Sequence, residues 1–211
     1  MSETIETDPE AQLLAIGTRI AADPRASRTL MLLTDALLRL VRDGGFEISV
    51  SELCREAGVH RTTFYGHYPS VEAFAGDVFT RVIDEIATVS PDLADAQNPD
   101  QLARLYRDTF AELLRHIASL RYTYQRVVSS PIGPSFRSAL AQALHRRVQA
   151  MLAYWQDHGI ADKLDLDQTA AFISGAFTGS LMEWVVSDSD DVDGTTEAVM
   201  DLLPPWWPRT H

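Results

Sequence analysis

Seven consecutive positions, Arg61-Thr62-Thr63-Phe64-Tyr65-Gly66-His67, hold a guanidinium, three hydroxyls and an imidazole. All can donate hydrogen bonds to phosphate oxygens, and a guanidinium can also fork onto the edge of guanine. On a helix, at about 100° per residue, Phe64 and Tyr68 point one way and Thr62 and Gly66 the other. Thr63, Tyr65 and His67 flank that outer side, with Arg61 at the helix start. Gly66 leaves room for a groove to come close. This is the chemistry of a surface laid on nucleic acid.

Such a surface needs elements to hold it. Ser49 with Glu52 three residues on is a capping-box start. Val50, Leu53, Cys54 and Ala57 then recur at helical spacing, giving one apolar face. Gly58 permits the positive backbone angle that ends this helix. The pattern predicts a second helix over Arg61–Tyr68, stopped by Pro69. Helix, glycine turn, helix is the arrangement that offers its second helix to the DNA major groove.

Ala57-Gly58-Val59-His60-Arg61-Thr62-Thr63-Phe64-Tyr65-Gly66-His67-Tyr68, followed by Ser70-Val71-Glu72-Ala73-Phe74, resembles the signature of the TetR/AcrR family of bacterial transcriptional regulators. The resemblance spans about Arg28 to Phe74. By position it implies that Thr63, Tyr65 and His67 contact the DNA backbone, and that Arg61, Thr62 and Gly66 stand where bases are read. Two departures are visible. His60 replaces the usual serine cap of the recognition helix and is a weaker cap. Val71 replaces the lysine that usually opens the fourth helix, removing one phosphate contact.

The 211 residues are 45% hydrophobic, enough for one or two domains with a real core. Long Leu/Ala/Arg stretches and few alternating β-branched runs make the expected fold all-α. The net charge of -12 opposes DNA binding unless the acid lies away from the contact surface. Between Arg28 and Phe74, five arginines face six carboxylates, so this segment is far less acidic than the whole. The single cysteine, Cys54, excludes an intrachain disulfide, and its place on an apolar helix face suits a small buried residue. The acidic first residues do not form a signal peptide, and no apolar run reaches membrane-spanning length. A cytoplasmic protein without membrane contact is expected. The six histidines lack metal-ligand spacing. A Gly-rich phosphate loop, a Gly-x-Ser-x-Gly elbow and a Ser-x-x-Lys are all missing. No metal, cofactor or enzymatic activity is expected.

Residues 1–26 form an acidic extension, polar at first and with a short apolar-faced helix over Ala11–Ala22. Residues 27–74 are the expected helix-turn-helix domain. Its first helix opens at Ser27 or Arg28, stops at Gly44-Gly45, and is followed by Phe46 tucked into a three-helix core. Residues 75–211 are the expected ligand-binding and dimerisation domain, with the fourth helix running from Val71 to about Val89. Helices follow over Gln101–Ser119, within Leu120–Ser130, over Ser135–His158, from Asp165 or Asp167 to Val186, and over Thr195–Leu203. Polar or proline-rich breaks at Pro91–Pro99 and Pro131–Pro134 separate them.

A helical domain can hold a small molecule between its helices. Tyr106, Phe110, Tyr124, Trp155 and Phe177 are the candidate pocket residues, although plain core packing explains each of them too. The resemblance implies a pocket without saying what lines it. Ile173, Phe177, Leu181 and Trp184 form one apolar stripe and are assigned to a dimer seam, the competing reading being an internal core. Ala171, Gly175 and Gly179 would let another helix approach closely. Asp188–Gly194 lacks the final bidentate glutamate of a calcium loop and is read as solvated. Trp206 and Trp207 are expected to pack on the body or on a partner subunit. Together with the resemblance, these features imply a homodimeric regulator, expected to be a repressor, that binds a palindromic double-stranded operator and is released by a small-molecule effector. A helical ligand-binding or protein-interaction module with little DNA affinity is the alternative, motivated by the acidity and by Val71.

Overall fold

The computed structural model describes residues 28–43, 48–87, 98–160 and 163–208. Among these are nine helices and no strand, so the fold is all-α. The extension over residues 1–26, the Gly44-Gly45 stop, Phe46 and most of the Pro91–Pro99 break lie outside the described residues.

Two compact units emerge. The first holds the opening helices through Glu85 together with residues 119–136; the second holds 86–118 and 137–211. Contacts keep the fourth helix to Glu85 with the helix-turn-helix. Helix α1, Arg28–Arg42, buries Leu33, Leu37 and Val41. It packs on α2, Val50–Ala57, and on α6, Arg121–Ser129. Helix α2 starts as its cap residues dictate: the Ser49 hydroxyl accepts the Glu52 amide at 3.1 Å. It ends at Gly58, φ 65°, where the Val59 amide reaches back to the Cys54 carbonyl at 2.9 Å. That six-to-one bond with a left-handed residue is a Schellman ending, which glycine adopts without a Cβ penalty. Cys54 is buried, and desolvation pushes its thiol above the ordinary pKa while the Arg61 guanidinium pulls part of the way back.

Helix α3 covers Arg61–Tyr65 and α4 covers Val71–Ala87. Ser70 caps α4, its hydroxyl accepting the Ala73 amide at 3.2 Å. Val71, Phe74, Val78 and Val82 face inward. The Phe79 ring meets Phe136 edge-on at 5.2 Å, and Tyr124 packs on the same ring at 5.6 Å. These contacts are what tie α4, α6 and the first turn of α7, Gly133–Asp157, into one unit. A side chain at Gly133 would collide with the Val128 carbonyl, so glycine is what lets α7 begin against the end of α6.

In the second unit, α5 covers Pro99–Ser119, α8 covers Leu166–Val186 and α9 covers Val192–Asp201. Asp165 caps α8 through the Gln168 amide at 2.8 Å. The inner side of α8 meets α5 directly: the Trp184 Nε1–H donates to the Leu114 carbonyl at 2.9 Å. No described helix is long and apolar enough to cross a membrane.

Candidate nucleic-acid interface

Helix α3 is shorter than the sequence implied. Regular helix stops at Tyr65, and Gly66 and His67 form a turn whose amides still bond back to Thr62 and Phe64, at 3.1 and 2.9 Å. Tightening of this kind is usual where a short helix runs out of partners. His60 makes no side-chain cap bond, in keeping with its weak capping chemistry.

One side chain anchors this helix. Phe64 is 0% exposed and touches Tyr65, Tyr68 and Phe74, with ring centroids 5.7, 6.1 and 6.1 Å away. Everything else on α3 faces out. Arg61, Thr62, Thr63, Gly66 and His67 are exposed, and Tyr65 is 58% exposed. The six residues picked for nucleic-acid contact are therefore all exposed. Gly66 has φ -69°, which any residue adopts, so its value there is the space it leaves.

Arg61 is not loose. Its Nη1 donates to the Ser51 hydroxyl on α2 at 3.0 Å. A guanidinium has five N–H donors in a rigid fork, so a full edge remains free while one donor holds Ser51. Ser51 was not among the sequence candidates. Its partner lies ten positions away on another helix, beyond any local pattern.

The part-buried Tyr68 hydroxyl donates to Asp77 on α4 at 2.6 Å, and Arg81 one turn on pairs with the same carboxylate at 3.3 Å. Burial and the Asp77 bond both push the Tyr68 hydroxyl well above its ordinary pKa, so it stays a donor. This chain of three ties the end of the recognition segment to α4. Tyr68→Phe deletes the donor and leaves Asp77 with Arg81. It should lower unfolding stability by about 1–2 kcal/mol, readable in chemical denaturation. A change below a few tenths would show that the bond contributes nothing.

The pocket candidates separate. Tyr124 lies in the first unit, buried against Phe136. Tyr106, half-buried, spends its hydroxyl on the Arg147 carbonyl at 2.8 Å. Phe110, Trp155 and Phe177 are all buried in the second unit, and Phe110 and Phe177 are in ring contact at 5.3 Å. A different cleft, about 420 Å³, opens between α5 and α9, lined by charged residues such as Arg107, Arg115 and Asp193 and crossed by an Arg107–Glu197 ion pair.

The dimer stripe needs correcting. Ile173, Phe177, Leu181 and Trp184 are buried in the chain's own core, where Trp184 bonds Leu114 and Phe177 meets Phe110. A partner subunit cannot reach them. The opposite face of α8 is the open one: Ala171, Phe172, Gly175, Ala176, Gly179 and Val186 are exposed, Phe172 by 69%. A side chain built at Gly175 or Gly179 would meet nothing within 4 Å. Trp207 is buried against Trp155 and Phe177, so this part of the aromatic pair packs on its own body.

Residues 33–78 match the family described as bacterial regulatory proteins, tetR family. No curated protein matches the chain. Among solved structures, the fatty acid degradation regulator FadR from Bacillus halodurans superposes with a TM-score of 0.59 at 17% identity, covering 84% of this chain and 95% of that one. FadR from Thermus thermophilus, a TetR-family transcriptional repressor solved with lauroyl-CoA, gives 0.59 at 20% identity over 82% of this chain and 92% of that one. A TetR-family regulator from Syntrophomonas wolfei gives 0.58 at 18%, over 82% and 91%. At such identities the likeness establishes a shared fold.

Proposed function

We propose that this chain, whose residues 33–78 match the bacterial tetR family of regulatory proteins, is a ligand-responsive transcriptional regulator, a repressor that leaves a palindromic operator when a small effector binds. The observation that carries this reading is the open surface of Arg61, Thr62, Thr63, Tyr65 and His67 above a single buried anchor, Phe64. Thr63, Tyr65 and His67 hold the backbone; Arg61 and Thr62 read bases, and Gly66 keeps the groove close.

One recognition helix covers too few base pairs for useful specificity, so the regulator acts as a homodimer. The outer face of α8 supplies the seam, its small residues allowing a second α8 to approach about a two-fold axis. The two recognition helices must then sit about 34 Å apart, or a multiple of it. An effector that prefers a splayed dimer weakens operator binding by its differential affinity, typically about 1–3 kcal/mol. The lauroyl-CoA complex of the Thermus thermophilus neighbour supports a small-molecule effector.

A selection from random double-stranded oligonucleotides tests the reading. Wild-type protein should retain a two-fold-symmetric sequence, and Tyr65→Ala should weaken binding to it about tenfold or more. Retention of no sequence would sink the proposal and favour a helical interaction module.

On the selected sequence, Ser51→Ala is expected to cost about 1 kcal/mol of discrimination at the base pair read by Arg61, because the fork loses its second anchor. The same change made in an Arg61→Ala background should do nothing. Equal effects in both backgrounds would show that Ser51 acts alone.

A further inference from the structure

Trp155 is 0% exposed, and its Nε1–H finds no acceptor among the described residues. Buried donors are nearly always paired, and an unpaired one carries a desolvation cost that calls for an explanation. Two further indoles lie against this one. Trp207 meets it edge-to-face at 4.7 Å and 87°, and Trp206 lies 6.5 Å away. Phe177 is 6.2 Å from Trp207 and 5.3 Å from Phe110.

Trp207 suits this slot in shape and not in chemistry. An indole has one N–H donor and no lone-pair acceptor, so it offers the Trp155 donor at most a weak contact with its π face. Trp207 is also lightly tethered. It sits on the Pro204–Pro208 segment that follows α9, and its amide bonds only within that segment, to the Pro204 carbonyl at 2.9 Å. Among the described residues its side chain is held by ring contacts.

We propose that the slot between Trp155 and Phe177 is a ligand site that Trp207 closes, and that its ligand is a flat aromatic molecule with a hydrogen-bond acceptor on its rim. Such a molecule reproduces the edge-to-face contacts of the indole it displaces. It adds the acceptor that the indole lacks. A ring nitrogen, carbonyl or ether oxygen would serve. That this ligand is also the effector rests on the function proposed above; the binding itself does not.

Quinoline and naphthalene share one outline, and only quinoline carries a ring nitrogen that accepts. Equilibrium dialysis of the full chain with each probe is the test. Trp207→Ala should bind quinoline saturably, one per chain, and about tenfold or more tighter than wild type, which must first give up its own indole. Adding Trp155→Phe should abolish the preference for quinoline over naphthalene. In wild-type protein, saturating quinoline should speed amide exchange over residues 203–208. Equal quinoline affinity in wild type and Trp207→Ala, a preference that survives Trp155→Phe, or no saturable binding would each overturn the proposal. Should Trp207→Ala fail to fold, unchanged exchange over 203–208 in quinoline-saturated wild type would overturn it as well. None of these measurements contains DNA, so the oligonucleotide selection fails or succeeds separately.

Discussion

Phe64→Ala should destabilise the protein by about 3–5 kcal/mol, the usual range for emptying a fully buried phenylalanine site. Three aromatic neighbours surround that ring, and it is the only buried side chain on α3. With a whole domain typically stable by about 5–15 kcal/mol, this takes a large share of the margin. The same substitution cuts α3 loose from its support, so operator binding should vanish even in molecules that stay folded. Thermal unfolding followed by circular dichroism, with binding to the selected operator alongside, measures both effects. A variant that keeps wild-type stability would mean that α3 is held by something other than Phe64.

Gly179→Glu should have the opposite signature, with stability kept and assembly lost. The position is exposed and a new side chain meets nothing within 4 Å, so the folded chain has room for it. Glutamate is the better helix former there by up to about 1 kcal/mol. Across a two-fold seam, however, each added carboxylate would face its own copy in a desolvated contact. Sedimentation should show monomers, and operator affinity should fall by about 100-fold or more as one half-site is lost. A variant that remains dimeric and binds normally would place the seam elsewhere.

Local chemistry was legible in the chain, and contacts made at a distance were not. The Ser49 cap, the Gly58 ending and the inward Phe64 follow from residues within one or two turns, and each stands where its type and spacing put it. The end of α3 was misjudged because Gly66–Tyr68 keep turn-type bonds that resemble a continuing helix in sequence. The stripe assigned to the seam is buried in the chain's own core, and α8 carries apolar residues on both sides. Ile173 and Phe177 face in, while Phe172 and Val186 face out, and no periodicity says which stripe meets its own core. The Ser51–Arg61 pairing joins two helices, Tyr68–Asp77 joins the segment after α3 to α4, and Trp207 reaches Trp155 across 52 positions. Only the folded chain brings these together.

The burial of Cys54 carries a practical corollary. Its sulfur is covered, and desolvation keeps it protonated, so maleimides and methanethiosulfonates have almost nothing to attack. With no second cysteine anywhere in the sequence, a thiol introduced on the exposed surface would be the sole reactive handle. Spin labels attached there would report distances in the proposed dimer without background, and without first deleting the native sulfur.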